Sequence, residues 1–187
     1  MTDSKGTSKK LSSREIVISG MFAALTAILS QISLPLPSGI PLTLQTFAVA
    51  LTGYTLSHRL ATAAISIYII IGSWGIPVFS GFRGGLSVLA GPTGGFIIGF
   101  VFTAFFCGLG AVRSRKTAAM LLGTAGVLLC HLTGALHFTA QSELSFSKTL
   151  MTINLPYLVK DIACIVIACK MGMTIRQRTR YTGQQKQ

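Results

Sequence analysis

Only 11% of the 187 residues are Asp, Glu, Lys or Arg, and long apolar stretches run between them. A soluble domain carries about 25% charged residues, because its surface must face water. With a mean hydropathy of +0.65, this chain has too little polar surface to wrap a water-facing core. In lipid every backbone polar group must be paired within the protein, and a helix does this segment by segment. A helix crosses the hydrocarbon with about 20 apolar residues. Six stretches approach that length: 16–36, 42–56, 60–76, 94–112, 117–138 and 153–173. The second is short enough to be tilted or partly re-entrant. The first is too long for a cleavable signal, and no A-x-A-like site follows it. The expected fold is all-α: a polytopic membrane protein with six transmembrane helices. One membrane domain covers 15–174, with polar tails at 1–14 and 175–187.

The formal net charge is +12. The positives sit at the chain ends and between apolar stretches, as juxtamembrane residues do. The lipid bilayer is therefore the expected partner of this charge, and nucleic acid is not. Lys5, Lys9, Lys10 and Arg14 precede the first stretch, and Arg59 follows the second. Arg113, Arg115 and Lys116 follow the fourth, and Lys170, Arg176, Arg178 and Arg180 mark the end of the sixth. With six spans, all four groups fall on one side, against only Arg83 and Lys148 on the other. The positive-inside rule then puts both termini in the cytoplasm.

Between the third and fourth stretches lies PVFSGFRGGLSVLAGPTGGF, residues 77–96. Irregular glycine-rich backbone at membrane depth is tolerated only where it packs in protein or lines a polar cavity. A charge there is costly and marks a functional site by default. Arg83 in its glycine frame is the first place to look for a ligand. Residues 86–90 read as a short helix or a packed loop.

Other polar residues also need a reason. Lys160 and Asp161 fall inside the sixth stretch, but neighbours on a helix point about 100° apart and do not face each other. They either lock that helix to a neighbour, for instance Asp161 to Arg83, or line a binding cavity near an irregular helix start at Asn154 and Pro156. Gln45 opens the second stretch and offers both a donor and an acceptor. Tyr54, Tyr68, Trp74 and Tyr157 suit membrane interfaces; Trp74 and Tyr157 are also near enough to the glycine-rich segment to stack on a ligand. The first stretch carries Gly20 with Ala24 and Ala23 with Ala27. Small residues at this spacing let helices approach closely, either within the chain or against a membrane partner.

Catalytic chemistry has no foothold. No G-x-S-x-G, H-E-x-x-H or paired carboxylates occur, and the glycine-rich segment does not match a P-loop. His131 and His137 are six apart with no Glu or Cys to complete a metal site. Cys107, Cys130, Cys164 and Cys169 lie inside apolar runs and read as small buried hydrophobes. No enzyme and no cofactor is expected.

Three blocks carry a resemblance: PLTLQTFAVALTG, then GIPVFSGFRGGLSVLAGPTGGFIIGF, then LPYLVKD. In this order and spacing the chain resembles the BioY family, the substrate-binding components of energy-coupling-factor (ECF) biotin transporters. The match runs from Ile16 to about Met171. The resemblance implies the ECF S-component fold, with six helices, in a bacterial-type cytoplasmic membrane. Biotin would bind near the outer surface as transported ligand, with uptake of a biotin precursor or another small carboxylated vitamin as the alternative. It implies a transmembrane coupling subunit and two ATPase subunits as partners. Gly20, Ala23, Ala24 and Ala27 would form the docking face. Gln45, Arg83, Lys160 and Asp161 would be the polar ligand residues. Gly84, Gly85, Gly94 and Gly95 would allow close backbone approach, and Trp74, Phe79 and Tyr157 would provide walls. Many members read like PGDLLK in the sixth helix. Here the later lysine position is Cys164, and a lysine stands before the aspartate instead. Arg83 thereby becomes the stronger candidate for the ligand carboxylate.

Overall fold

The computed structural model describes residues 12–36, 39–113 and 115–184. The lysines of the N-terminal tail lie outside these residues. Helix α1 spans Ser13–Ser30. Ser12 caps it: its Oγ accepts from the Glu15 amide while the Glu15 carboxylate accepts from the Ser12 amide, a reciprocal box that satisfies two end donors. The helix stops at Ser30, short of the expected residue 36. Ser33–Leu34 instead pairs antiparallel with Leu42–Thr43 as strands β1 and β2. Pro35 directly follows β1 and could not continue the helix.

Helix α2, Gln45–Thr55, follows at once. It is apolar on all sides, and Ala48, Val49, Ala50 and Tyr54 are completely buried, as a central helix must be. Tyr54 was expected at an interface; instead its hydroxyl donates to the Ala119 carbonyl at 3.0 Å in the core. Helix α3, His58–Ser73, ends three residues before the expected boundary, where Gly75 takes φ +100°. The glycine-rich segment holds a short helix α4, Leu86–Ala90. Helices α5, Gly94–Gly110, and α6, Lys116–Gln141, then pack side by side along their lengths. Glycines make that approach possible: a Cβ on Gly99 would come within 2.7 Å of the Cys130 Cα, and one on Gly126 within 3.0 Å of the Thr103 Cα. Helix α7, Phe146–Thr149, leads through a π-helical turn, Leu150–Asn154, into α8, Leu155–Gln184. Pro156 falls just after the π-helical turn, where a residue without an N–H interrupts the regular hydrogen-bond ladder of the continuous helix.

Helices α1, α3, α5, α6 and α8 each turn large apolar side chains outward, among them Met21, Ile70, Phe102, Leu121, Leu136 and Val159. Water-soluble monomers rarely carry such a belt; lipid is its natural solvent. Among the described residues, α1 and α6 are long and apolar enough to cross a membrane, while α3 and α5 are apolar but shorter. The helix directions put Ser12, Thr55, His58 and Arg176 at one end of the bundle, where Arg176 donates to the Leu56 carbonyl at 2.7 Å. The opposite end gathers the last turns of α1, α3 and α6 with the first turns of α2, α5 and α8.

Candidate ligand-binding site

That opposite end encloses a cavity. It is lined by β2 and the first turn of α2, the 79–83 turn, α4, the first half of α5, the second half of α6 and the first turns of α8. Its empty volume is about 580 Å³ counting the part open to solvent, but the centre of a water-sized sphere can occupy only about 50 Å³. It is a narrow slot with a mouth. Phe79, Phe96, Phe100 and Tyr157 wall it, and Gln45, Arg83, His131, Lys160 and Asp161 put polar groups into it.

Six residues named from sequence therefore meet here: Gln45, Phe79, Arg83, Tyr157, Lys160 and Asp161. Gln45 is buried; its Nε2 donates to the Tyr68 hydroxyl at 2.8 Å, and its Oε1 accepts from the Thr43 hydroxyl at 3.0 Å. Tyr68, expected at an interface, is 1% exposed and packs edge-on against Phe79. The Tyr157 hydroxyl donates to the Ile40 carbonyl, and Lys160 Nζ donates to the Thr43 carbonyl at 2.8 Å. Helix α8 thus ties down the 40–43 segment from beneath.

Asp161 does not meet Arg83. Its Oδ1 lies 2.5 Å from Lys160 Nζ, and its Oδ2 lies 3.1 Å from His131 Nε2. Adjacent helix positions diverge, but the flexible lysine stem curls back across the carboxylate. This contact is an ion pair, and Oδ1 has no further hydrogen-bond partner among the described residues. A buried carboxylate needs such partners, because stripping water from an unpaired charge costs several kcal/mol. His131 was weighed from sequence only as a metal ligand. In the fold it is buried, orients Asp161, and packs edge-on against Phe96. The signal was available: an ionisable residue within a membrane helix asks for a reason wherever it falls.

Arg83 sits differently. Phe79 and Arg83 exchange both backbone hydrogen bonds across a tight turn in which Gly81 and Phe82 have φ of +72° and +54°. Arg83 Nε donates to the Ser80 carbonyl at 3.1 Å, and its terminal nitrogens have no hydrogen-bond partner among the described residues. The side chain is exposed and stands at the mouth, lining both the slot and the shallow groove beside Pro35 and Gly39.

The remaining named residues lie elsewhere. Trp74 caps α3 and is 82% exposed, away from the cavity lining. Gly84, Gly85 and Gly94 do not line it either. Gly94 and Gly84 serve closer packing: a Cβ on Gly94 would strike the Leu89 carbonyl oxygen, and one on Gly84 would come within 2.4 Å of the Ile76 oxygen, while Gly85 takes φ +99° ahead of α4. Gly95 likewise fits against α6: a Cβ there would come within 2.4 Å of the His137 Cβ. On α1, Gly20, Ala23, Ala24 and Ala27 line an apolar groove with Ile67, Ile71 and Val78 of the α3 side. Ala23 is buried in the core, whereas Gly20 and Ala24 are open.

Fold and site together define a class: a small helical membrane protein that holds a narrow polar pocket near one face. The chain belongs to the BioY family, whose model matches residues 4–181. It is 34% identical to the biotin transporter BioY of Thermotoga maritima over 88% of this chain and 96% of that one. It is 38% identical to the probable biotin transporter BioY of Pyrococcus horikoshii over 81% of this chain and 90% of the other. A crystal structure at 2.1 Å of the S-component for biotin from an ECF-type ABC transporter shares its fold, with a TM-score of 0.81 over 90% of this chain and 95% of that one, at 21% identity.

Proposed function

We propose that this chain binds biotin in the slot and carries it across the cytoplasmic membrane as the substrate-binding component of an ECF-type transporter, not as an enzyme. The observation that carries this reading is the charge count of the cavity. Lys160 and Asp161 neutralise each other, and Arg83 is left as a cation whose terminal nitrogens have no hydrogen-bond partner among the described residues. A site with one spare positive charge suits a monoanion, and a guanidinium matches a carboxylate bidentately where an ammonium offers only a point charge. Biotin has one carboxylate on an apolar chain, joined to a ring system with a ureido group. Arg83 at the mouth takes the carboxylate. Asp161 Oδ1 deeper in accepts from a ureido N–H. Gln45 lies across from it as donor, and the aromatic walls cover the rings. Titration calorimetry on the purified chain tests this: one saturable biotin site is expected. Heat from another vitamin carboxylate with none from biotin would overturn it.

Membrane orientation follows from the same frame. All the described basic residues except Arg83, Lys148 and Lys160 cluster at the end away from the cavity, so both termini are read as cytoplasmic. A reporter active only in the cytoplasm, fused in turn to each end, is expected to give signal in both fusions. Signal from only one would mean an odd number of spans.

The groove on α1 is read as the place where a transmembrane coupling subunit docks, with two ATPase subunits behind it supplying energy. Gly20 and Ala24 form its open edge. Ala24→Trp fills that edge without entering the core and is expected to slow partner-dependent biotin uptake about fivefold, with binding by the isolated chain unchanged, since close helix approach needs small residues. Uptake at the normal rate would remove the groove from the docking surface.

A further inference from the structure

Residue Gln31, just past α1, belongs to none of the three blocks that carry the family resemblance, and its side chain does not line the cavity. Its amide nonetheless reaches the turn that carries Arg83. Nε2 lies nearest Ser30 Oγ and the Ala27 carbonyl of its own helix, at 2.8 and 3.1 Å, and also reaches the carbonyls of Val78 and Phe79, each at 3.3 Å, while Oε1 accepts from the Phe82 amide at 2.9 Å. Beside it, Ser30 Oγ donates to the same Val78 carbonyl at 2.6 Å. One side chain thus grips both arms of the 79–83 turn from outside the slot.

The grip matters because the turn is strained. Phe82 is a non-glycine residue at φ +54°, a conformation that bulky side chains adopt only under constraint. Its side chain is 73% exposed and supplies little packing to hold that conformation. Its N–H, turned outward by the left-handed backbone, finds its acceptor in Gln31. With that acceptor gone the turn is free to relax toward ordinary φ, and Arg83, the next residue, swings with it. A bidentate contact tolerates little misplacement, so such a shift weakens a carboxylate contact first.

We propose that Gln31 is a positioning residue that sets carboxylate selectivity by holding the strained 79–83 turn, and so Arg83, at the mouth of the slot. This rests on the reading that Arg83 takes the ligand carboxylate.

The test compares biotin with its carboxamide, biotinamide, on the full chain. Gln31→Ala is expected to weaken biotin binding about tenfold and biotinamide binding less than threefold. In an Arg83→Ala background, Gln31→Ala is expected to add less than a twofold loss. Hydrogen exchange at the Phe82 amide should quicken at least tenfold in Gln31→Ala whether or not ligand is present. Gln31→Met keeps the side-chain volume without its hydrogen bonds, and is expected to behave as Gln31→Ala does should the smaller residue impair folding. An equal loss for both ligands, or a full additional loss in the Arg83→Ala background, would make Gln31 a general structural residue and overturn the proposal. Unchanged exchange at Phe82 would overturn it on different grounds, by showing that Gln31 does not hold the turn. If Arg83→Ala itself keeps the preference for the acid, the reading of Arg83 fails. The exchange result still decides whether the tie exists.

Discussion

Arg83→Ala weakens biotin binding by about 10- to 100-fold, the equivalent of losing a charge-assisted hydrogen-bonded pair worth about 1.5–3 kcal/mol. Lys160 cannot substitute, because its ammonium is already held by Asp161 at 2.5 Å and by the Thr43 carbonyl at 2.8 Å. Arg83→Lys retains the charge but loses the planar fork, and falls between wild type and alanine. The decisive comparison is again acid against carboxamide. Wild type prefers biotin over biotinamide, and Arg83→Ala loses most of that preference. Should the preference survive there and vanish in Lys160→Ala, the carboxylate contact belongs to Lys160. Folding is not at stake in the alanine variant: Arg83 is exposed, and among the described residues the side-chain bond lost is Nε to Ser80.

Asp161→Asn has a larger reach, because the carboxylate serves three groups. It compensates Lys160, orients His131, and lines the slot. The amide keeps an acceptor for His131 but leaves Lys160 without a counter-charge. Biotin affinity is expected to fall by about 1.5–3 kcal/mol through the lost charged acceptor. Stability also falls, since an ion left unpaired in a buried setting costs more than the pair itself contributed. Lys160 retains the Thr43 carbonyl and some solvent, which moderates the second effect. The double variant Lys160→Met/Asp161→Asn separates the two. Removing the pair whole restores the melting temperature in detergent, as neutral replacement of buried ion pairs often does, but not biotin binding. If binding returns along with stability, Asp161 is a structural partner of Lys160 and not a ligand contact.

Why some of the site was legible before the fold and some was not follows from the cost of burying charge. Arg83 and Asp161 stood out because a charge among apolar residues must answer for its desolvation, and that argument needs no coordinates. Gln45 and Lys160 were reached in the same way, as polar groups where lipid or core was expected, and Tyr157 as an aromatic near the glycine-rich segment. His131 met the same criterion, yet was weighed only against metal spacing. Trp74 went the other way: proximity in sequence to the glycine-rich segment suggested a wall, but the turn at Gly75 leaves the indole facing outward. The glycines 84 and 94 were read as allowing close backbone approach, and the backbone they admit is that of residues 76 and 89, outside the cavity lining.

The helical, lipid-facing character of the chain and the family block in its middle were determined by sequence alone. Both rest on local quantities: hydrophobicity summed over a stretch, and residue types that backbone geometry or burial can tolerate. Where α1 stops and β1 begins, how Lys160 is spent on Asp161, and why Gln31 reaches the Arg83 turn were decided only by tertiary structure. Those contacts join residues as far apart as Thr43 and Lys160. Which donor meets which acceptor at that separation depends on how helices stack, and small residues such as Gly99 and Gly126 set the stacking to within an ångström.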